Sequence, residues 1–472
     1  MKRFLILTAV IFSFFSTPLF AQRFFKSLEP NENQMVVYVG SYDWGACIEK
    51  VVINTGRIID SKEFEKQKDD FEFLRMLYSK EANLGMKKSE IEITDAFFSD
   101  SQGNKTESNG VYITLLTEVS PTAENSSPFA GYIASGVFEK FYSFKVENDD
   151  LDIEISDLRG FVNEPATRFS ENHYTYNFKG QKEGSTLDLG YLTYLPEIKK
   201  NEKIPLILWF HTIGESGSNP YYVIFGAKAS ALAGDKIQSY FENGAAILAP
   251  QCPTGWLETV DQNSMGIRYW APVDISGTAK KVSNSITKFL NKFIEAKPAP
   301  TETDEKPFAA VSYYTEPITE LLMDFLDSHP EIDRERIYVG GASAGGYMTM
   351  NMMIQHPELF AAAFPTCEYY LNNKITKTQI KDLAEKPLWF TYAKNDTTVK
   401  PADNCIPTIK RLREAGAKNL KVSEFENVVD PEMPYEYEGH SSWIYVLNDQ
   451  CRDESGESLY AWLSRQRLHV EK

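Results

Sequence analysis

The sequence predicts an α/β chain in two parts: an all-β sandwich, then a mostly parallel sheet covered by helices on both faces. Three observations carry that expectation. Short β-branched and aromatic runs broken by polar turns fill residues 30–155. From about residue 172, buried-looking apolar runs alternate with helical stretches. One of those runs leads straight into a glycine-rich turn and a further helix. At 472 residues the chain is too long for one ordinary domain. It carries 49 Lys and Arg against 66 Asp and Glu, a formal net charge of −17. Nucleic-acid partners need a basic face to neutralise phosphates, so that class is excluded, and anionic membrane surfaces are disfavoured for the same reason.

Met1 to Ala21 has the order of a secretory signal: Lys2 and Arg3, an apolar stretch from Phe4 to Phe15, then Pro18 and a small residue at Ala21. The apolar run is shorter than the roughly 20 residues a bilayer span needs. Cleavage before Gln22 is expected, with a periplasmic or secreted product and no integral membrane segment afterwards. Export permits disulfides. Cys47, Cys252, Cys367, Cys405 and Cys451 are odd in number, so at least one is unpaired within the chain; a Cys405–Cys451 bridge and a set of small buried thiols are both open. No Cys/His spacing suits zinc, so neither a metal nor a cofactor is expected.

Residues 22–155 are assigned to the sandwich, with strands at Met35–Val39, Val51–Ile53, Ile91–Ile93, Val111–Leu115 and Phe141–Val146. A helical stretch is expected at Phe64–Tyr78, and a polar junction at Leu151–Ser170. Residues 156–472 form the second domain. Its expected strands are Ile204–His211, Gly244–Gln251, Arg336–Gly340, Lys386–Tyr392 and Leu420–Phe425; its expected helices are Thr315–Ser328, Ala402–Ala415 and Ser458–Gln466. Residues 254–307 form an irregular insertion ending in a Pro/Thr/Glu-rich run from Lys297 to Lys306.

Gly341-Ala342-Ser343-Ala344-Gly345 sits between the strand ending near Gly340 and a helical run. A nucleophilic serine on a sharp strand-to-helix turn needs glycines beside it, because neighbouring backbone must pass without meeting a Cβ. A serine hydroxyl is weak until a base takes its proton, and behind such an elbow the order is Ser, acid, His. Three histidines follow Ser343. His356 lies on the same helix about 20 Å away at 1.5 Å per residue. His469 is among the last four residues, where chains fray. His440, in a glycine-containing loop, remains. Of the intervening acids, Asp382 precedes its strand and falls on the wrong side of the sheet, and Asp403 reads equally as a first-turn helix residue. Asp396 follows a strand at the carboxyl edge and is favoured, with Asp430 in reserve. Oxyanion donors are expected at the Ala344 N–H and in the loop after His211, at Ile213 with Thr212 next; His211 and Glu215 are expected to brace that loop.

These segments resemble α/β-hydrolase esterases of the poly(3-hydroxybutyrate)-depolymerase-like and predicted-peptidase group. The resemblance runs from about Tyr174 to the C-terminus. It rests on His211-Thr212-Ile213-Gly214-Glu215, Ala249-Pro250-Gln251-Cys252-Pro253, the stretch from Arg336 to Gly346, Asn395-Asp396-Thr397-Thr398-Val399 and Gly439-His440-Ser441-Ser442-Trp443. The N-terminal part, with Tyr42-Asp43-Trp44-Gly45 between strands, is similar to the immunoglobulin-like domain preceding some of these esterases. The resemblance implies an α/β-hydrolase fold, a triad of Ser343, Asp396 and His440, and hydrolysis of carboxylic esters; the ester is expected to be small-molecule, polyester or acylated-carbohydrate, and a polysaccharide-acting acyl or feruloyl esterase is an open subclass. Thr212 stands where that family usually has glycine. Trp256, Tyr269 and Trp270 in the insertion, and Trp443 beside His440, are candidates for lining the substrate pocket, with packing of the insertion's own small core the other reading for its aromatics. Two alternatives stand beside the esterase: a serine peptidase of prolyl-oligopeptidase type, which usually carries a propeller, and a non-catalytic binding protein on a relict fold.

Overall fold

The computed structural model describes residues 24–78, 86–107, 109–130, 140–178, 186–198, 202–257, 311–430 and 433–468. The expected signal, most of the 254–307 insertion with Tyr269 and Trp270, and His469 lie outside the described residues.

The N-terminal unit is β-rich. A six-stranded and a four-stranded sheet share one core, where the Phe73 and Phe144 rings of the smaller sheet pack tilted with centroids 5.7 Å apart and Phe144 meets Phe161 of the larger at 6.1 Å. Two of the sequence expectations change here. Helix forms only over Ser61–Gln67, capped by the Asp60 carboxylate, while Glu72–Tyr78 is a strand. Ladders on both sides, with Ser143–Asn148 and Met86–Ile91, override the helical preference of its Glu, Leu, Arg and Met. The junction expected at Leu151–Ser170 is half strand: Asp157–Val162 pairs in parallel with Gln34–Tyr42, so this unit runs beyond residue 155.

The second unit is built on eight strands: β1 (Ser170–Asn177), β2 (Thr186–Tyr194), β3 (Ile204–Phe210), β4 (Ala246–Pro250), β5 (Ile332–Ala342), β6 (Ala362–Thr366), β7 (Leu388–Ala393) and β8 (Leu420–Phe425). Their order is β1-β2-β4-β3-β5-β6-β7-β8. The β1–β2 and β2–β4 pairings are antiparallel and the others parallel. Along β3 the alternation of side chains feeds two cores: Ile207 and Trp209 enter one, Leu206, Leu208 and Phe210 the other. Helices α1 (Thr315–Ser328), α2 (Ala344–Gln355), α3 (Lys377–Ala384) and α4 (Cys405–Glu414) bury apolar residues in the second core, while α5 (Trp443–Leu447) covers the first. No described helix is long and apolar enough to cross a membrane.

All five cysteines are free and buried. A Cys405–Cys451 bridge does not form, because the two thiols belong to the cores on opposite faces of the sheet. The first core continues into the N-terminal unit: Phe24 lies 5.1 Å from Tyr221 and 4.8 Å from Phe225, and Phe129 lies 4.8 Å from Tyr222.

Candidate active site

Ser343 occupies the turn between β5 and α2 with φ +58° and ψ −117°, a conformation L residues seldom adopt. The glycines explain how the turn is tolerated. A Cβ on Gly345 would stand 2.0 Å from the Phe210 carbonyl oxygen, and one on Gly341 2.6 Å from that same oxygen. The elbow is thereby wedged against the end of β3, and the Ser343 N–H is tied to the Thr366 carbonyl of β6 at 3.0 Å.

His440 and Asp396, from loops after β8 and β7, meet Ser343 there. His440 Nδ1 lies 2.8 Å from Asp396 Oδ2, and Nε2 lies 2.8 Å from Ser343 Oγ. A carboxylate only accepts, so Nδ1 carries the proton and Nε2 is the acceptor for the serine hydroxyl. The other carboxylate oxygen, Oδ1, accepts the N–H groups of Thr398 and Val399 at 2.9 and 2.7 Å, which fixes the carboxylate plane. Burial pulls the imidazole pKa down, but the Asp396 charge, its hydrogen bond and the Glu438 charge prevail and hold it above the ordinary value. Asp430, the reserve acid, instead accepts from the Tyr437 hydroxyl at 2.8 Å and from the Met433 N–H at 3.0 Å.

Two residues that sequence reasoning passed over set the histidine loop. Glu438 Oε2 accepts the His440 N–H at 2.7 Å and Oε1 accepts the Thr397 hydroxyl at 3.1 Å, joining the loops that carry His440 and Asp396. Gly439 lies against Asn395 and Asp396, where a Cβ would come within 2.2 Å of Asn395 Oδ1 and 2.6 Å of the Asp396 nitrogen. The signal was there in Glu438-Gly439-His440: an acceptor one residue before a short helical turn is a cap.

After β3, the loop from Thr212 to Glu215 is closed on itself as a capping box. Glu215 Oε2 accepts the Thr212 N–H at 2.8 Å, Oε1 accepts the Ala227 N–H at 2.7 Å, and Thr212 Oγ1 accepts the Gly214 N–H at 3.2 Å. Burial pushes the Glu215 carboxyl up to about 8 against the pull of those backbone donors. His211 is wholly buried; its Nε2 accepts the Cys252 N–H at 2.8 Å and Nδ1 meets the Thr212 carbonyl at 2.6 Å, while burial lowers its pKa to about 4. Both residues brace the loop. The Ile213 N–H, between two engaged amides, has no acceptor among the described residues. Neither has that of Ala344, which as the first residue of α2 has no partner within the helix.

The aromatic expectations divide. Trp443 stands edge-on to His440, ring centroids 5.6 Å apart. Trp256 does not line a pocket: it is fully buried, its indole N–H donates to the His211 carbonyl at 3.1 Å, and its ring packs on Phe210 and Tyr314. A large aromatic with a polar handle has been used to anchor the start of the loop from beneath. Trp270 lies outside the described residues.

A model of the prolyl oligopeptidase family matches residues 320–371, which span most of α1, the serine elbow and β6. None of the curated proteins matches the chain. Among solved structures, the crystal structure of a thermostable esterase aligns over 92% of this chain and 99% of its own at 20% identity, TM-score 0.59. A Pyrococcus horikoshii acylaminoacyl peptidase aligns over 64% of this chain and 45% of its own at 14% identity, TM-score 0.35. A ferulic acid esterase aligns over 59% and 97% at 14% identity, also at 0.35. The strand order and the first of these likenesses define the class: the second unit has the α/β-hydrolase fold.

Proposed function

We propose that the protein is a serine hydrolase cleaving carboxylic esters, with Ser343 as nucleophile, His440 as general base and acid, and Asp396 as the group that orients the imidazole. The observation supporting this reading is the pair of 2.8 Å contacts that His440 makes with Ser343 and Asp396. Ser343 Oγ attacks the carbonyl carbon as its proton passes to Nε2; the N–H groups of Ala344 and Ile213 receive the oxyanion. Collapse expels the alcohol, which takes the proton from Nε2, and water repeats the sequence to free the acid. A hole of two backbone donors contributes about 3–4 kcal/mol per donor to such a transition state.

Purified protein should hydrolyse a short-chain p-nitrophenyl ester, and Ser343→Ala should abolish turnover and fluorophosphonate labelling while the fold persists. Unchanged turnover in that variant would refute the mechanism. The match of residues 320–371 to the prolyl oligopeptidase family favours a second reading, a peptidase acting through the same residues; a prolyl-amide substrate turned over faster than the ester would select it. The proposal extends to an immunoglobulin-like identity for the N-terminal β unit and to export. Protein recovered outside the cytoplasm should begin at Gln22, which N-terminal sequencing reads directly.

A further inference from the structure

We propose that Asp43, on the N-terminal β unit, is a positioning residue for the hydrolytic centre, holding the oxyanion loop and the histidine loop at a fixed separation. The inference rests on the serine-hydrolase reading above. Asp43 and Trp44 form the two-residue turn of a hairpin whose arms are Gln34–Tyr42 and Gly45–Asn54. The turn is stiff: the Tyr42 and Trp44 rings stack 4.6 Å apart, and Gly45 closes it with φ +119°. Its carboxylate, only 9% exposed, reaches into the second unit and closes a ring of three hydrogen bonds. Oδ1 accepts from Lys228 Nζ at 3.1 Å, Oδ2 accepts from Asn448 Nδ2 at 2.8 Å, and Asn448 Oδ1 accepts from Lys228 Nζ at 3.0 Å.

Each arm of that ring ends on a loop the chemistry needs. Lys228, itself left-handed at φ +60°, follows Ala227, whose N–H is held by Glu215 Oε1; the other oxygen of the same carboxylate holds Thr212, at the start of the oxyanion loop. Gly226 keeps this arm tight, because a Cβ there would stand 2.4 Å from Glu215 Cγ. Asn448 caps α5, the helix that begins three residues after His440, and its carbonyl is pinned by Lys236 Nζ at 2.7 Å. Donors aimed at an oxyanion and a base aimed at a serine must keep their geometry to within a fraction of an ångström, and a displacement of about 1 Å costs on the order of 10²-fold in rate. A carboxylate bridging the supports of both loops fixes that geometry, and it comes from a unit that supplies none of the triad.

The test uses the full chain and a p-nitrophenyl ester, with Asp43→Ala, Asp43→Asn and Phe24→Ala compared. Phe24 packs the same boundary on Tyr221 and Phe225 and is not a member of the hydrogen-bonded ring, so its variant reports loss of docking stability. Asp43→Ala should lower kcat about 10- to 100-fold with KM within about threefold, and slow fluorophosphonate inactivation in parallel. Asp43→Asn, which keeps the shape and loses the charge, should fall between it and wild type. Phe24→Ala should lower Tm and leave kcat within about twofold. Adding Asn448→Ala to Asp43→Ala should cost no more than about a further twofold, since the arm is already broken. Asp43 variants with wild-type kcat, or a kcat loss matched by Phe24→Ala at equal loss of Tm, would overturn the inference while leaving the hydrolase reading intact. Absence of Ser343-dependent turnover in the wild type would sink both.

Discussion

On the proposed mechanism His440 must be neutral to take the Ser343 proton, so the forces on its imidazole set a pH window. Burial alone would keep it neutral to low pH, but the buried Asp396 carboxylate at 2.8 Å and the charge of Glu438 favour the cation more strongly. kcat/KM should therefore rise with pH along an acid limb whose midpoint lies above the ordinary histidine value of about 6.5. The sign for stability is opposite. A histidine whose folded pKa is raised stabilises the fold fully below its unfolded pKa and ceases to do so as pH climbs through the folded one. Activity thus rises where this contribution to stability fades. In Asp396→Asn the principal source of the upward shift is gone; its acid limb should move to lower pH and its kcat fall about 10³- to 10⁴-fold, as for other triads whose base loses its orienting carboxylate. A pH–rate series on the two proteins decides the point: an acid limb unmoved in the variant would mean that another group controls it.

Between residue and molecule lie the turns that carry these side chains. Gly345 is 2.0 Å from a backbone oxygen once given a Cβ, and backbone cannot swing aside as a flexible side chain can. Gly345→Ala should cost about 1–3 kcal/mol of stability and slow fluorophosphonate labelling at least tenfold, readable by thermal melts and timed labelling. Glu215→Gln probes the neighbouring loop. Thr212 and Ala227 donate to different oxygens of Glu215, and Gln puts an NH2 donor where one of them stood, so one buried N–H loses its partner; a stability loss of about 1–3 kcal/mol and a lowered kcat are expected, and a variant equal to wild type in both would show that the loop needs only one of the two bonds. What the sequence disclosed at this scale follows from what each element relies on. The helix Thr315–Ser328 was legible to the residue because its apolar positions repeat at the helical period. The buried β6, Ala362–Thr366, was not, since Ala-Ala-Phe-Pro-Thr has almost no β-branched content and is held by parallel ladders from β5 and β7. That Ser343, His440 and Asp396 come together was legible because chain order and strand ends restrict the candidates to few positions. Trp256 was misread because an aromatic beside a catalytic loop looks the same in sequence whether it faces a substrate or supports the loop from below.

At the scale of the molecule, the two units differ in architecture and yet share a core. Tyr222 and Phe225, on a short helix between β3 and β4, belong to the same core as Ile207 and Trp209 of the main sheet and touch Phe24 and Phe129 of the N-terminal unit. None of this was readable from strand periodicity, which reports which residues are buried and not against what. Apolar burial contributes about 25 cal/mol per Å², and a helix buried in a core that both units build loses part of its stability if either unit departs. The Asp43 ring adds a polar bond set across the same boundary, where breaking one member leaves a mostly buried charge without its partner. The two units should therefore unfold together. Scanning calorimetry of the full chain should give a single transition whose van't Hoff and calorimetric enthalpies agree, even though a chain of this size with separable units would ordinarily give two. Phe24→Ala, which thins the contact on Tyr221 and Phe225, should lower that transition and begin to split it. Two well-separated transitions in the wild type, with ester turnover lost only at the second, would mean that the N-terminal unit rides on the second unit without supporting it. The loop geometry at Ser343 would then have to be maintained by the second unit alone.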